Sequence, residues 1–355
     1  MKKSLIALAA ASAFAAPAFA ATSNVDVFGV LSFSVDYVDV GAAAAGKDES
    51  DLVTGVNHTG RIGFKGSEDL GGGLKATWQI DSEVGKLAAT TDPVFANRNT
   101  FVGLAGGFGE VRLGRHDTPY KLATGSLDPM GDSVGDYNAI IGSYDGGAGK
   151  FDARAAGTIA YLSPNFNGLT AAVAYISVQN AEAAGEDNKD AWSAAAMYEN
   201  GPLFASLAYE VYNGEAGAAS TPTKSHDAWK VGAGYKFGDT KLGVIYEAME
   251  NDTAASTTSR DAWYVSLAHT MGPIVLKAAY GKANDSDHAT DKDGADMWAV
   301  GMDYNLSKRT ALYAVYANLE NDTNAKYGIG DGGKLYTPAD GKDASAFSVG
   351  IKHSF

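Results

Sequence analysis

Four aspartates lie in the stretch SLDPMGDSVGDYNAIIGSYDG, residues 126–146, with no Lys or Arg between them. They are Asp128, Asp132, Asp136 and Asp145. Carboxylates grouped in this way can raise the local potential and let an opening discriminate by charge. They can also cap turns, as Asp beside Gly often does. The choice between these roles depends on the elements that surround the stretch.

The rest of the chain alternates in polarity with a period of two. In GLKATWQIDSE, residues 73–83, apolar Leu74, Ala76, Trp78 and Ile80 oppose polar Lys75, Thr77, Gln79 and Asp81. The pattern predicts sixteen strands, each about the ten residues that a tilted strand needs to cross a bilayer. They are 25–39, 58–70, 73–83, 97–106, 109–116, 153–163, 168–178, 190–199, 202–212, 227–237, 239–248, 260–270, 272–282, 295–305, 309–319 and 343–355.

The connections between these strands alternate in length. Short turns such as Gly71-Gly72 and Asn200-Gly201 are interleaved with acidic loops of about ten residues or more, which is the form of outer-membrane barrels. A secreted β-sandwich has no reason to alternate its loops in this way. The sequence therefore predicts an all-β, sixteen-stranded antiparallel transmembrane β-barrel, with residues 21–355 as one domain.

The first 20 residues predict a signal peptide, because Lys2 and Lys3 precede an apolar run and Ala18-Phe19-Ala20 fits a cleavage site. The formal charge of the chain is −14, and the loss of Lys2 and Lys3 lowers it to −16. This charge argues against nucleic acid as a partner. The chain has no cysteine, which excludes disulfides and thiolate metal sites.

Sixteen strands enclose a lumen too wide for side chains to fill, so we expect it to hold water. The longest connection, residues 117–150, contains the four aspartates, and an excursion of that length is usually functional. It also contains Ile140, Ile141 and Tyr144, apolar residues that a solvated external loop does not need. We therefore predict that this loop folds into the barrel, packs its apolar residues on the wall and turns its carboxylates toward the opening.

Four features resemble the trimeric general porins of Gram-negative outer membranes: RIGFKGSEDLGGGLKATWQI, NRNTFVGLAGGFGEVRLGRHDTPY, YLSPNFNGL and the terminal Phe355. The resemblance covers essentially the whole mature chain. It implies a homotrimer in the bacterial outer membrane, surrounded by lipid and lipopolysaccharide, with the third loop bent inward as a constriction. Such proteins pass ions and small hydrophilic solutes by diffusion.

In that family, acidic residues of the third loop face a row of arginines on the wall. Arg61 in RIGFKG and Arg98 in NRNTFVGL match the wall arginines, and Arg115 in LGRHDTPY matches a basic residue that opens the loop. Arg115 shares a strand face with Val111 and Leu113, so we expect a bulge or the turn into the loop to redirect it.

The chain departs from the family pattern before its SPNF turn, where Leu162 stands in place of an arginine. Arg154, on the same predicted strand, is the candidate to substitute for it. The predicted constriction therefore consists of Arg61, Arg98, Arg115 and Arg154 on the wall and Asp128, Asp132, Asp136 and Asp145 on the loop.

The sequence gives weaker support to other functions. An EF-hand loop counted back from Gly294 would begin at Ala289 and end at Val300, so it fails, although loose divalent-cation binding by acidic loops stays open. Only His116 among six histidines has plausible partners on a lumen-facing register, and no G-x-S-x-G elbow is present. We expect no catalysis, cofactor or metal site. The main alternative is a channel specific for a sugar or an anion.

Overall fold

The structure, a computed structural model, describes residues 24–41, 51–84, 95–143, 151–177, 190–213, 223–253, 257–287 and 292–355. The predicted signal peptide, Tyr144 and Asp145 lie outside these residues. The strands are β1 (Asn24–Asp39), β2 (Asp51–Val56), β3 (Arg61–Gly71), β4 (Leu74–Glu83), β5 (Thr100–Gly106), β6 (Gly109–Asp117), β7 (Arg154–Leu162), β8 (Leu169–Ser177), β9 (Asp190–Asn200), β10 (Leu203–Asn213), β11 (Thr223–Phe237), β12 (Thr240–Thr253), β13 (Thr257–Met271), β14 (Ile274–Ala283), β15 (Ala295–Asn305), β16 (Thr310–Asn321) and β17 (Ala344–Ser354).

These strands form one antiparallel sheet that closes on itself by the pairing of β1 with β17. Both β2 and β3 pair with β1, β2 along residues 34–39 and β3 along residues 24–30. They are therefore two parts of one barrel strand, interrupted at residues 57–60. The sheet is a closed sixteen-stranded barrel, which confirms the predicted fold. The predicted strand at 58–70 starts too late, because alternation is lost at the interruption.

Alternation along each strand separates an outer apolar face from an inner face. On β11, Trp229 and Val231 are exposed at 41% and 39%, whereas Lys230 between them is fully buried. Since large apolar side chains face outward all around the sheet, the outer surface suits lipid and the buried polar positions face the lumen. Within the described residues, no helix combines the length and apolar character needed to cross a membrane.

The third loop, residues 118–153 between β6 and β7, begins with a short helix, α1 (Pro119–Leu122). Thr118 caps this helix by accepting a hydrogen bond from the backbone N–H of Lys121, and Pro119 occupies its first turn. The backbone N–H of Tyr120 donates to Oγ of Ser193 on β9 at 3.0 Å. The loop therefore turns onto the inner face of the wall as soon as it leaves β6.

Apolar residues of the third loop pack on that inner face. Leu127, Met130, Ile140 and Ile141 are fully or almost fully buried in one cluster with Ile245, Tyr264, Met297 and Ala299 of the wall. The predicted burial of Ile140 and Ile141 against the wall is confirmed. The connection between β16 and β17, residues 322–343 and here called the last loop, joins the same cluster through Tyr327 and Ile329.

Candidate pore constriction

A cavity of about 430 Å³ lies between the barrel wall, the third loop and the last loop. Its lining is rich in charged side chains of both signs. The basic residues in the lining are Arg98, Arg115, Lys121, Arg154 and Lys334, and the acidic residues are Asp132, Asp136, Asp152 and Asp331. Of the predicted residues, this cavity brings together Arg98, Arg115, Arg154, Asp132 and Asp136, and does not include Arg61 or Asp128.

Two wall arginines are held by carboxylates at the end of β6 and on β4. Nη2 of Arg154 lies 3.0 Å from Oδ1 of Asp117, and Nε of Arg154 donates to Oδ1 of Asn99 at 3.0 Å. Nε of Arg98 lies 3.6 Å from Oδ2 of Asp81. These contacts hold the guanidinium groups at the edge of the cavity, where the side chains of Arg98 and Arg154 are 20% and 19% exposed.

Arg61 belongs to the same electrostatic group without lining the cavity. It is the first residue of β3 and lies opposite Glu83 of β4 in the sheet register. Its charge interacts with that of Asp81, as do the charges of Arg98 and Arg154. Arg61 therefore adds to the positive potential of the wall rather than to the lining.

Arg115 reaches the cavity through a β-bulge. The register of β6 against β7 shifts between Gly114 and His116, so Arg115 falls in the irregularity. Gly114 adopts φ +148°, where a side chain would collide with the neighbouring strand backbone. The sequence called for either a bulge or the turn into the loop at Arg115, and the structure has a register shift at this residue. Nη1 of Arg115 comes within 3.5 Å of the carbonyl of Arg154.

Asp132 and Asp136 lie together on the lumen side of the third loop. Oδ1 of Asp136 accepts from the N–H of Asn138 at 2.9 Å, and Oδ2 accepts from the N–H of Asp132 at 3.0 Å. Burial, with the nearby charge of Asp128, raises the pKa of Asp136 to about 7. Asp136 thus caps a turn and lines the cavity as well. Oδ2 of Asp132 lies 4.0 Å from Nζ of Lys352 on β17.

Asp128 has a different position from the one that the sequence suggested. Its Oδ1 accepts from the N–H of Met130 and from the hydroxyl of Tyr264, both at 2.8 Å, and its Oδ2 accepts from the N–H of Tyr137 at 3.1 Å. Burial raises its pKa to about 6. A carboxylate with these partners shapes the loop and ties it to β13, so the structure does not bring Asp128 to the opening.

Buried polar contacts attach both ends of the third loop to the wall. Asp152 forms a buried ion pair with Lys230 of β11 and accepts from the hydroxyl of Tyr137 at 2.8 Å. Glu247 of β12 accepts from the hydroxyl of Tyr120 at 2.7 Å and from the N–H of Gly142 at 2.8 Å. Fully satisfied polar networks of this kind fix one conformation of the loop.

The contribution of the last loop to the cavity was not predicted from the sequence. Asp331 and Lys334 of that loop line the cavity, and Gly332 lies against Asn138 of the third loop. The hydroxyl of Tyr336 donates to Oδ2 of Asp36 at 2.9 Å, and Nε2 of His58 lies 2.7 Å from the same oxygen. The sequence did contain a sign that the last loop packs inward, because this loop carries apolar residues that a solvated loop does not need.

His116 is engaged within its own strand. Its Nδ1 donates to the carbonyl of Asp117 at 2.6 Å, and its Nε2 accepts from Nη1 of Arg112 at 2.7 Å. Neither ring nitrogen is left to activate a nucleophile. Among the residues that the structure describes, no group of three or more metal-ligating side chains occurs, and part of the rejected EF-hand segment, residues 288–291, falls outside them.

A closed sixteen-stranded barrel with an apolar exterior and a charged, loop-narrowed interior is the architecture of an outer-membrane channel. The sequence profile of the Gram-negative porin family matches residues 7–325, and the chain belongs to this family. The strands thus cross the bacterial outer membrane, as predicted.

Individual relatives agree with this assignment. The chain is 32% identical over 368 residues to outer membrane porin protein 32 of Delftia acidovorans, and 29% identical over 365 residues to major outer membrane protein P.IB of Neisseria meningitidis, with both chains of each pair covered in full. The anion-selective porin from Comamonas acidovorans superposes with a TM-score of 0.81 at 29% identity, over 94% of this chain and 100% of that one.

Proposed function

We propose that the protein is a general diffusion pore, through which ions and small hydrophilic solutes pass by passive diffusion. The observation that carries this proposal is the cavity of about 430 Å³, which is lined by opposed charges of the wall and of the two loops. A polar, hydrated opening of this kind sorts solutes by size and charge without binding them tightly.

A sugar-specific channel is the weaker alternative. Sugar recognition by stacking requires several aromatic faces along the path, and one aromatic side chain, Phe151, is among the residues that line this cavity. Tyr264, an inward aromatic residue, is buried under the third loop and bonded to Asp128. We propose no catalytic step, because both ring nitrogens of His116 are hydrogen-bonded within β6.

A modest preference for anions is part of the proposal. Five basic and four acidic side chains line the cavity. Among them Arg98, Arg154 and Asp152 are paired with Asp81, Asp117 and Lys230, which lie outside the lining. The pKa of Asp136, raised to about 7 by burial, leaves this carboxyl partly protonated at neutral pH. With Asp136 partly protonated, the lining carries a small excess of positive charge, in line with the anion selectivity of the Comamonas acidovorans porin.

We also propose that three copies assemble in the membrane, as the resemblance to general porins implies, and that lipid and lipopolysaccharide surround the trimer. Outward side chains such as Val173, Leu207 and Val231 supply the apolar surface that both contacts need. Chemical cross-linking in outer-membrane vesicles should stop at trimers. If cross-linking yields monomers alone, the trimer is excluded, but the proposal of a diffusion pore is unaffected.

Liposome swelling tests the general-pore proposal. Liposomes that contain the purified protein should swell at rates that fall steadily with the size of the neutral sugar and rise linearly with its concentration. A single sugar that enters faster than smaller ones, with a rate that saturates, would instead support a specific channel. Liposomes that contain heat-denatured protein give the background rate.

A further inference from the structure

Three glycines on the inner face of β11 and β12 surround the side chain of Leu127. A Cβ atom built on Gly232 or Gly234 would lie 2.8 Å from a methyl group of Leu127, and one built on Gly243 would lie 3.3 Å from its Cβ. None of the three has a positive φ, so their backbone does not itself require glycine. What the three positions share is the space that Leu127 fills. We call them the glycine socket.

The backbone on either side of Leu127 is tied down as well. Nζ of Lys241 on β12 donates to the carbonyl of Ser126 at 2.7 Å, and Oγ of Ser266 on β13 donates to the carbonyl of Leu127 at 2.6 Å. The hydroxyl of Tyr264 holds the carboxylate of Asp128. Three consecutive loop residues are therefore attached to two neighbouring strands around one buried leucine, which is 1% exposed.

We propose that Leu127 and the glycine socket set how deeply the third loop sits against the wall, and thereby the width of the constriction. This inference rests on the proposed function as a diffusion pore. Leu127 does not line the cavity. It acts through Asp132 and Asp136, which follow it within nine residues and do line the cavity, so any shift of Leu127 away from the wall moves these carboxylates into the opening.

The most direct variant is Gly234→Val. Apart from Leu127, the atoms nearest to a Cβ at this position are the carbonyl of Leu242 at 3.4 Å and Cβ of Phe204 at 3.6 Å, so the added side chain meets mainly Leu127. We expect the loop to be displaced into the lumen and single-channel conductance to fall about 1.5-fold or more. Gly55→Val is the matched control, since a Cβ at Gly55 on β2 meets nothing within 4 Å.

A second variant changes the loop instead of the wall. Leu127→Ala leaves the glycine socket empty. We expect more current noise, because the third loop is then held less firmly against the wall. The double variant Leu127→Ala/Gly234→Val refills the space from the wall side, and we expect its conductance to return toward that of the unmodified protein. A role in barrel folding alone would change the resistance to unfolding without this compensation in conductance.

The absence of cysteine from the chain allows a third test, which reports the position of the third loop directly instead of through conductance. Leu127→Cys/Gly243→Cys places two Cβ atoms close to the separation that a disulfide needs. We expect spontaneous cross-linking with nearly unchanged conductance, and none in Leu127→Cys/Gly55→Cys.

The inference is overturned if the cysteine pair does not cross-link, or if the folded Gly234→Val and Leu127→Ala variants keep the conductance and noise of the unmodified protein. Either result would leave the proposed diffusion function intact, since that function is measured on the unmodified protein.

Discussion

Nη2 of Arg154 lies 3.0 Å from Oδ1 of Asp117, at the point where the third loop leaves and rejoins the wall. Leu162, where the family pattern has an arginine, lies at the other end of the same strand, next to the short turn. The two are eight positions apart, which is at most roughly 26 Å along a strand. Arg154 lines the cavity at the opposite end of the strand, and this separation argues against its replacing a charge at position 162.

Removal of the Arg154 charge should weaken the preference for anions. At about 7 Å in water, one unit charge changes the energy of an anion and of a cation by about 0.6 kcal/mol in opposite directions. Screening in about 0.1 M salt roughly halves each of these energies, so we expect Arg154→Ser to lower the anion-to-cation permeability ratio about two- to threefold. Reversal potentials in a salt gradient measure this ratio. Lys308→Ser, at the turn before β16, removes the same charge far from the cavity and should have little effect; equal effects of both would contradict the assignment.

Acidification should strengthen the preference for anions. The pKa of Asp136 is raised to about 7, so this carboxyl gains a proton as pH falls from 8 to 5 and one negative charge leaves the cavity lining. The charges that act on it are those of Asp128 and Asp132. Lys277 and Lys352 of the wall act in turn on Asp128 and on Asp132. Asp136→Asn should remove the step near pH 7 from a pH series of reversal potentials. A step that persists in Asp136→Asn belongs to another group.

Release of the last loop should widen the channel. Tyr336→Phe removes the hydrogen bond to Asp36, a bond to a charged group that contributes about 1.5–3 kcal/mol, and leaves His58 in place. We expect faster amide hydrogen exchange in residues 322–343 and a higher single-channel conductance. Tyr161→Phe, which loses a hydrogen bond to the carbonyl of Phe108 near a short turn, is the control. Unchanged exchange in both variants would show that Tyr336 does not hold the loop.

The buried pair of Lys230 and Asp152 should matter for stability. Both side chains are almost completely buried, and removal of one partner leaves a buried charge uncompensated at a cost of about 3–5 kcal/mol. Lys230→Met should therefore lower the apparent unfolding temperature, measured by the heat-dependent shift in gel mobility. Lys230→Met/Asp152→Asn should recover part of the loss. If the single variant unfolds like the unmodified protein, the pair does not anchor the loop.

The sequence predicted the barrel because side-chain alternation is a local property. Trp229 and Lys230 already show which face of β11 meets lipid and which meets the lumen. The same logic flagged Arg115 as misplaced on its strand, and the bulge beside it explains why. Local patterns failed at residues 57–60, where the strand that contains β2 and β3 is interrupted.

The constriction was less accessible to sequence reasoning, because it depends on which loop residues turn inward. Asp128 and Asp136 have similar sequence surroundings, yet Asp128 is bonded to Tyr264, 136 residues further along the chain, and Asp136 lines the cavity. The role of Lys334 likewise depends on how the last loop packs against the third. Such long-range contacts leave no local periodicity.

Planar-bilayer recording of the unmodified protein tests the central claim most directly. An open, water-filled constriction predicts ohmic current steps whose size rises in proportion to salt concentration, with a reversal potential that indicates a modest preference for anions. Folded, inserted protein that passes no current, or current that saturates at low concentration of one solute, would contradict the account of a charged, loop-narrowed diffusion pore.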